Sequence, residues 1–208
     1  MTMTSKIIRH SLPMLMILFS VVALQAQGLG LTANFSKFNI DRIQSEVADI
    51  DYAGSTSLVL NARIFTKKNW AWRIGAGVDN LSYTVGGGVS TDYQARRKDL
   101  KAVIGLEKHF MLGNWIDLYP GVYVPITVTG EDVIDANLNN LRNGDTRAGM
   151  GVVLGANIGF LKILRVGVEF DATFDNFRNT VYESVETTSV VPFKGLKRNT
   201  SITLGVRL

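Results

Sequence analysis

The chain has 208 residues, contains no cysteine and carries a formal net charge of +4 at neutral pH. This length suits a single domain, and the lack of cysteine excludes a disulfide framework and a thiolate metal site. The mild charge provides no basic footprint for nucleic acid, which is therefore excluded as a partner.

The first residues have the pattern of a secretory signal peptide. A positive start at Lys6 and Arg9 is followed by an apolar run at 12–24. The run is too short to span a bilayer comfortably, because a transmembrane helix needs about 20 apolar residues. We predict a signal peptide at 1–26 and an exported domain at 27–208. An N-terminal membrane anchor is the alternative.

Eight stretches of strict apolar–polar alternation follow. In RVGVEFDATF, for example, Val168 and Phe170 are apolar, whereas Glu169 and Asp171 are charged. Such alternation is typical of a β-strand whose two faces meet different surroundings. The predicted strands lie at 29–35, 58–64, 70–78, 100–110, 115–128, 148–158, 164–174 and 201–208.

The connections between these strands alternate in length. Three are short, at 66–69, 111–114 and 160–163. Four are long, at 36–56, 80–97, 129–147 and 175–198. Short turns at one end and long loops at the other are the pattern of an outer-membrane barrel. We therefore predict an all-β fold, a closed antiparallel eight-stranded transmembrane β-barrel with short periplasmic turns and four long extracellular loops.

The two faces of the predicted strands differ in the way such a barrel requires. The apolar faces carry no charge, as expected for a lipid-facing surface, where a basic residue at mid-depth costs about 2–4 kcal/mol. The other faces combine glycines with charges of both signs, which suits a lumen just wide enough to be filled by side chains. The predicted lumen network, which would plug the barrel, consists of Arg63, Arg73, Lys101, Glu107, Asp117, Arg165, Glu169, Asp171 and Arg207. A soluble lipocalin-like barrel, with its apolar face inside, is the alternative.

Aromatic residues cluster at both ends of the predicted strands, as in the girdles at membrane interfaces. The belt at the short turns comprises Trp70, Trp72, Phe110, Trp115 and Phe160. The belt at the long loops comprises Phe35, Phe38, Tyr83, Tyr93, Phe174 and Phe177.

An exported chain of eight alternating strands, three tight turns and four long loops, ending on ITLGVRL, resembles the OmpA/OmpX-type outer-membrane β-barrel family, in its Bacteroidetes-type form. The resemblance covers 28–208 and is architectural. It implies a location in the cell outer membrane, with outer-membrane lipid and the barrel-assembly machinery as partners. Two features depart from the family pattern. The last strand ends on Leu208 where an aromatic residue is common, and Pro120 lies within a strand, where we predict a local bulge.

The sequence offers little support for catalysis. His109 shares a face with Glu107 near the predicted periplasmic end, whereas a lipid-modifying barrel would act at the outer leaflet. The stretch TVGGGVS at 84–90 lacks the lysine and helix of a phosphate loop. Calcium could bind the Asp- and Asn-rich segment 130–145 through oxygen ligands, but a solvated loop explains it more simply. We expect no enzymatic activity, no cofactor and no metal.

Three basic residues are predicted to face outward at the extracellular rim. Arg96 and Lys98 share parity with the apolar Leu100, and Arg198 lies at a similar level on the last strand. We expect them to meet phosphates of outer-leaflet lipid; extension of their charges into water is the alternative.

The expected function is that of a non-enzymatic outer-membrane barrel with a structural role or with surface interactions through its long loops. Extracellular or envelope proteins are then candidate partners. The alternatives are a narrow pore for small solutes or ions, and an accessory barrel for envelope assembly or secretion.

Overall fold

The computed structural model describes residues 28–44, 49–51, 54–86, 93–113, 115–134, 141–142, 146–160, 163–182 and 188–208. The predicted signal peptide, the glycine-rich tip at 87–90 and most of the segment 130–145 lie outside these residues. No helix in the described part of the chain is long and apolar enough to cross a bilayer.

Eight long strands form one closed antiparallel sheet. They are β1 (Gly28–Gln44), β2 (Thr56–Phe65), β3 (Trp70–Gly86), β4 (Tyr93–Lys108), β5 (Ile116–Val128), β6 (Met150–Phe160), β7 (Leu164–Tyr182) and β8 (Thr188–Arg207). Each strand pairs with the next, and β8 pairs with β1, which closes the barrel. The sheet is extended by short pieces at Asp49–Asp51, Phe110–Leu112, Glu131–Ile134, Leu141–Arg142 and Thr146–Ala148. The predicted closed eight-stranded barrel is confirmed.

The outer surface of the barrel is a broad apolar band. Leu60, Leu100 and Ile202, on different strands, are each more than 60% exposed. An exposed apolar surface of this extent is not stable in water, so this face meets lipid and the soluble-barrel alternative is wrong. On β5 the band runs from Ile116 to Val128. That length is roughly 40 Å along the strand, or roughly 30 Å along the axis of a barrel whose strands tilt by about 45°.

The strands are longer at the extracellular end than the sequence predicts. β7 and β8 stay paired as far as Tyr182 and Thr188, and β3 and β4 as far as Val85 and Tyr93. Much of the predicted long loops at 80–97 and 175–198 is therefore strand. On β1 and β3 the apolar residues change from the outward to the inward face above the apolar band, so the expected pattern of apolar residues outside ends there.

The exchange of faces is clearest on β1. Within the apolar band, Phe35 points outward. Beyond it, toward the long loops, Phe38 and Ile40 are buried inside the barrel and Lys37 is exposed outside. Tyr83 of β3 is likewise buried inside the barrel, so Phe38 and Tyr83 do not belong to the predicted extracellular aromatic belt. Phe35 and Phe174 are exposed as that belt requires, and the side chains of Tyr93 and Phe177 lie outside the described residues.

Pro120 does not produce the predicted bulge. It pairs with Leu154 of β6 in unbroken register. On its other side the ladder stops at Gly121 and resumes at Leu118 with no residue inserted. The missing N–H thus removes hydrogen bonds on one side of the strand but leaves the register unchanged.

Candidate functional site: the charged lumen

A closed ring of four ions crosses the lumen. Arg63 of β2 contacts Glu107 of β4 at 2.6 Å and Glu169 of β7 at 2.9 Å. Arg73 of β3 contacts the same two carboxylates, at 3.2 Å and 2.9 Å. Arg63 and Arg73 are direct neighbours across β2 and β3, where like charges would repel. Each arginine is instead bound by both glutamates, so the ring is electrically balanced.

Neutral side chains complete the hydrogen bonds of this ring. The Tyr119 hydroxyl and the Asn34 amide donate to Glu169, at 3.1 Å and 2.8 Å. Arg63 donates to the Thr32 hydroxyl at 2.7 Å, and its guanidinium lies 4.7 Å from the centre of the Tyr119 ring. Buried charges are tolerated only when they are paired and hydrogen-bonded, and this ring meets both conditions.

A second group lies toward the short turns. His109 Nδ1 lies 2.9 Å from Asp117, and its Nε2 lies 3.2 Å from Glu107. Arg207 approaches Asp117 at 3.9 Å, and Arg165 is buried on the inward face of β7. Both nitrogens of the His109 imidazole therefore face carboxylates rather than a hydroxyl group. In this arrangement His109 is not placed to activate a hydroxyl nucleophile.

A third group lies toward the extracellular end. Lys101 contacts Asp79 at 3.3 Å, and Lys197 contacts the other oxygen of the same carboxylate. Asp171 accepts hydrogen bonds from the Tyr123 hydroxyl at 2.6 Å and from Asn199 at 2.7 Å. Lys101 and Asp171, both predicted lumen residues, are thus placed inside the barrel but outside the four-ion ring.

The sequence analysis missed several ions of the upper lumen. Asp99 contacts Arg97 at 2.8 Å and Arg147 at 2.9 Å, and Arg147 reaches Asp175 at 2.9 Å. Arg97, Arg147 and Lys197 fell in segments predicted as loops. The signal that could have found Arg97 and Asp99 is their shared parity with Lys101.

Tyrosines and glycines interlock across neighbouring strands. Tyr119 lies directly opposite Gly155, and Tyr123 lies opposite Gly151 on β6 and Gly105 on β4. A Cβ atom on Gly155 or Gly151 would overlap the ring of the facing tyrosine. The glycines of the inward face therefore make room for large side chains that fill the lumen.

The lumen is also closed by an apolar layer. Val59, Val103, Tyr123 and Val153 are buried together on inward positions, which the sequence analysis had treated as a polar face. The cavity beside this layer, between Arg73, Lys101, Glu169 and Asp171, has a volume of about 10 Å³. That space admits about one water molecule.

The three basic residues predicted at the rim point outward, but they do not form one cluster. Arg96 and Lys98 are exposed on β4, whereas Arg198 is exposed on β8 and pairs with Asp41 at 2.7 Å. Three strands, β1 to β3, separate β8 from β4. At about 4.8 Å per strand, the two positions lie roughly 19 Å apart around the barrel.

The fold is similar to that of several solved outer-membrane proteins. OprG from Pseudomonas aeruginosa has a TM-score of 0.58 at 16% identity, over 88% of this chain and 97% of that one. Ail from Yersinia pestis has a TM-score of 0.51 at 7% identity, over 87% and 98%. Neisserial surface protein A has a TM-score of 0.51 at 13% identity, over 86% and 96%. No protein-family model and no curated protein matches the chain.

At these identities the similarity shows the fold alone. The fold, together with the apolar exterior described above, identifies the chain as an outer-membrane β-barrel protein, and the predicted location in the outer membrane is confirmed. In the described part of the chain, no group of three or more His, Asp or Glu side chains is arranged to hold a metal ion.

Proposed function

We propose that the protein is a non-enzymatic outer-membrane barrel with a closed lumen, which acts as a structural element or through interactions at its extracellular end. The observation that carries this proposal is the ring of Arg63, Arg73, Glu107 and Glu169 across the lumen. The narrower assignment to the OmpA/OmpX-type, Bacteroidetes-type family belongs to the proposal and is supported by the eight-stranded architecture.

A solute would have to break this ring to pass. Each ion is buried and bound by two partners of opposite sign. Displacing one ion therefore leaves its two partners without full charge compensation in a site of low dielectric constant. The cavity beside the ring, with a volume of about 10 Å³, has room for about one water molecule. These features favour a plugged barrel over the narrow pore, which remains the alternative function.

We expect the purified protein to show no resolved single-channel conductance in a planar bilayer. The triple substitution Arg63→Ala, Glu107→Ala and Tyr123→Ala removes one ion of each sign from the ring and the largest side chain of the apolar layer, and it should produce measurable channels. The matched control is Arg198→Ala with Asp41→Ala, which removes an ion pair from the outside of the barrel and should stay silent. Steady conductance of the unmodified protein would contradict the plugged lumen and favour the pore.

We also propose that Arg96 and Lys98 contact phosphates of outer-leaflet glycolipid. Both are exposed on the outward face of β4, directly above the apolar Leu100. Arg198 contributes less, because Asp41 already neutralises it.

The double substitution Arg96→Gln with Lys98→Gln is expected to reduce the amount of lipopolysaccharide that co-purifies with the barrel, because basic residues near a membrane surface contribute roughly 1 kcal/mol each toward anionic lipid. Arg198→Gln is the control and should change the amount of co-purifying lipopolysaccharide little. Equal retention by all three proteins would remove this proposal.

A further inference from the structure

The outward surface at the short-turn end carries a basic group within the aromatic belt. Lys108 follows Leu106 on the lipid-facing side of β4 and lies opposite Trp70 of β3. Its ammonium lies 5.4 Å from the centre of the Trp70 ring and 5.9 Å from that of Phe110. It also donates a hydrogen bond to the main-chain carbonyl of Lys68. Lys108 is thus held at the level where aromatic rings mark the interface between hydrocarbon and headgroups.

The neighbouring turn adds two more ammonium groups. Lys67 and Lys68 are exposed in the connection between β2 and β3. Lys68 and Asn69 have φ angles of 64° and 58°, a left-handed conformation that residues with side chains rarely adopt. Such conformations persist where surrounding contacts hold them, as the bond from Lys108 to the Lys68 carbonyl does here. This bond therefore ties Lys108 to the turn that carries Lys67 and Lys68.

No carboxylate among the described residues neutralises these lysines from outside. Glu107 and Asp117 lie at the same end of the barrel but point inward, where Arg63, Arg73 and His109 bind them. The outer side of the rim is consequently positive and aromatic, whereas the carboxylates of this end face the lumen.

We propose that Lys67, Lys68 and Lys108, with the rings of Trp70 and Phe110, form a binding site for the phosphate headgroup of an anionic phospholipid. The aromatic rings lie beside the upper acyl chains, and the ammonium groups meet the phosphate. Because short turns face the periplasm in barrels of this class, the lipid belongs to the inner leaflet. The chemistry is that of a phosphodiester of net negative charge, as in phosphatidylglycerol.

The three tryptophans of the chain provide a direct probe of this rim. Trp70, Trp72 and Trp115 are its only tryptophans, and all three are exposed at the short-turn end. The protein is reconstituted in phosphatidylcholine vesicles that contain a minor fraction of phosphatidylglycerol, with bromine on the acyl chains of one lipid or the other. Bromine quenches tryptophan fluorescence on contact, so the two arms measure how often each lipid occupies the rim.

The brominated phosphatidylglycerol is expected to quench more than its mole fraction predicts, with a preference of about fivefold or more, since each lysine near a surface attracts anionic lipid to that extent. The preference should fall toward one at about 1 M salt, where charges are screened within about 3 Å. The triple substitution of Lys67, Lys68 and Lys108 by glutamine should abolish it, and Lys108→Gln alone should reduce it. The triple substitution by arginine keeps the charge and should preserve it.

Equal quenching by the two lipids in the unmodified protein would overturn the proposal, and so would a preference that survives the glutamine substitutions. Inorganic phosphate and chloride are compared at equal ionic strength. If phosphate removes the preference far more strongly, the site binds free phosphate and the assignment to a lipid is wrong. Proper folding of each variant is checked by resistance to unheated SDS, which a closed barrel retains.

Discussion

The substitution Glu107→Gln is expected to lower the free energy of unfolding by about 3–5 kcal/mol, which is the usual consequence of removing one partner from a buried ion pair. Glu107 is fully buried and contacts both Arg63 and Arg73. Glutamine keeps the shape of the side chain but removes its charge. The ring is then left with two guanidinium groups and one carboxylate, Glu169, in a site buried from bulk solvent.

The measurement is urea unfolding in vesicles, followed by tryptophan fluorescence and by gel migration without heating. Asp41→Asn is the matched control, because it also removes the acid of an arginine–carboxylate pair, but on the exposed surface. Exposed pairs contribute about 1 kcal/mol or less, so the control should unfold almost as the unmodified protein does. Similar losses in the two variants would contradict the role assigned to the ring.

The substitution Gly155→Ala is expected to cost about 1–3 kcal/mol of unfolding free energy through overpacking. The added methyl group would overlap the ring of Tyr119 on the neighbouring strand. Tyr119 cannot move away freely, because its hydroxyl donates to Glu169 and its ring lies against the guanidinium of Arg63. The substitution therefore disturbs the ion ring without changing any charge.

Two further proteins test this explanation. Gly30→Ala places a methyl group 3.2 Å from the edge of the Phe65 ring, a tight contact that small shifts can relieve, and it should cost less. Adding Tyr119→Leu to Gly155→Ala makes room for the methyl group, so the double variant should lose less stability than the two single losses add up to. Strictly additive losses would show that Gly155 and Tyr119 do not interact as described.

The alternation of side chains was sufficient to predict the closed barrel, because in a strand it determines which residues face lipid and which face the lumen. It was not sufficient to predict which lumen charges meet. Arg63 and Glu169 are 106 residues apart in sequence and touch only because of the vertical offset that accumulates from strand to strand around the barrel. That offset depends on the pairing of all strands together, and no single stretch of sequence reports it.

The same pattern misled at the extracellular end for a physical reason. Above the apolar band the outside of the barrel meets water, so Lys37 points outward and Phe38 inward, the reverse of the arrangement in the membrane. A search for strands with an apolar outward face therefore stops at the edge of the membrane. It therefore assigned Arg97, Arg147 and Lys197 to loops although they lie on strands or extend them.

The two outward lysines of β4 determine how deeply the barrel is immersed. Lys98 and Lys108 lie ten residues apart on the same face, with Leu100, Ala102, Ile104 and Leu106 between them. That separation is roughly 34 Å along the strand and about 24 Å along the barrel axis at a tilt of about 45°. It is close to the height of about 25 Å that is typical of the apolar band of such barrels. A displacement of the barrel in either direction would carry one ammonium group into hydrocarbon. The spacing of the two lysines therefore sets the hydrocarbon thickness that suits the protein. A thinner or thicker membrane would have to adjust its thickness around the barrel.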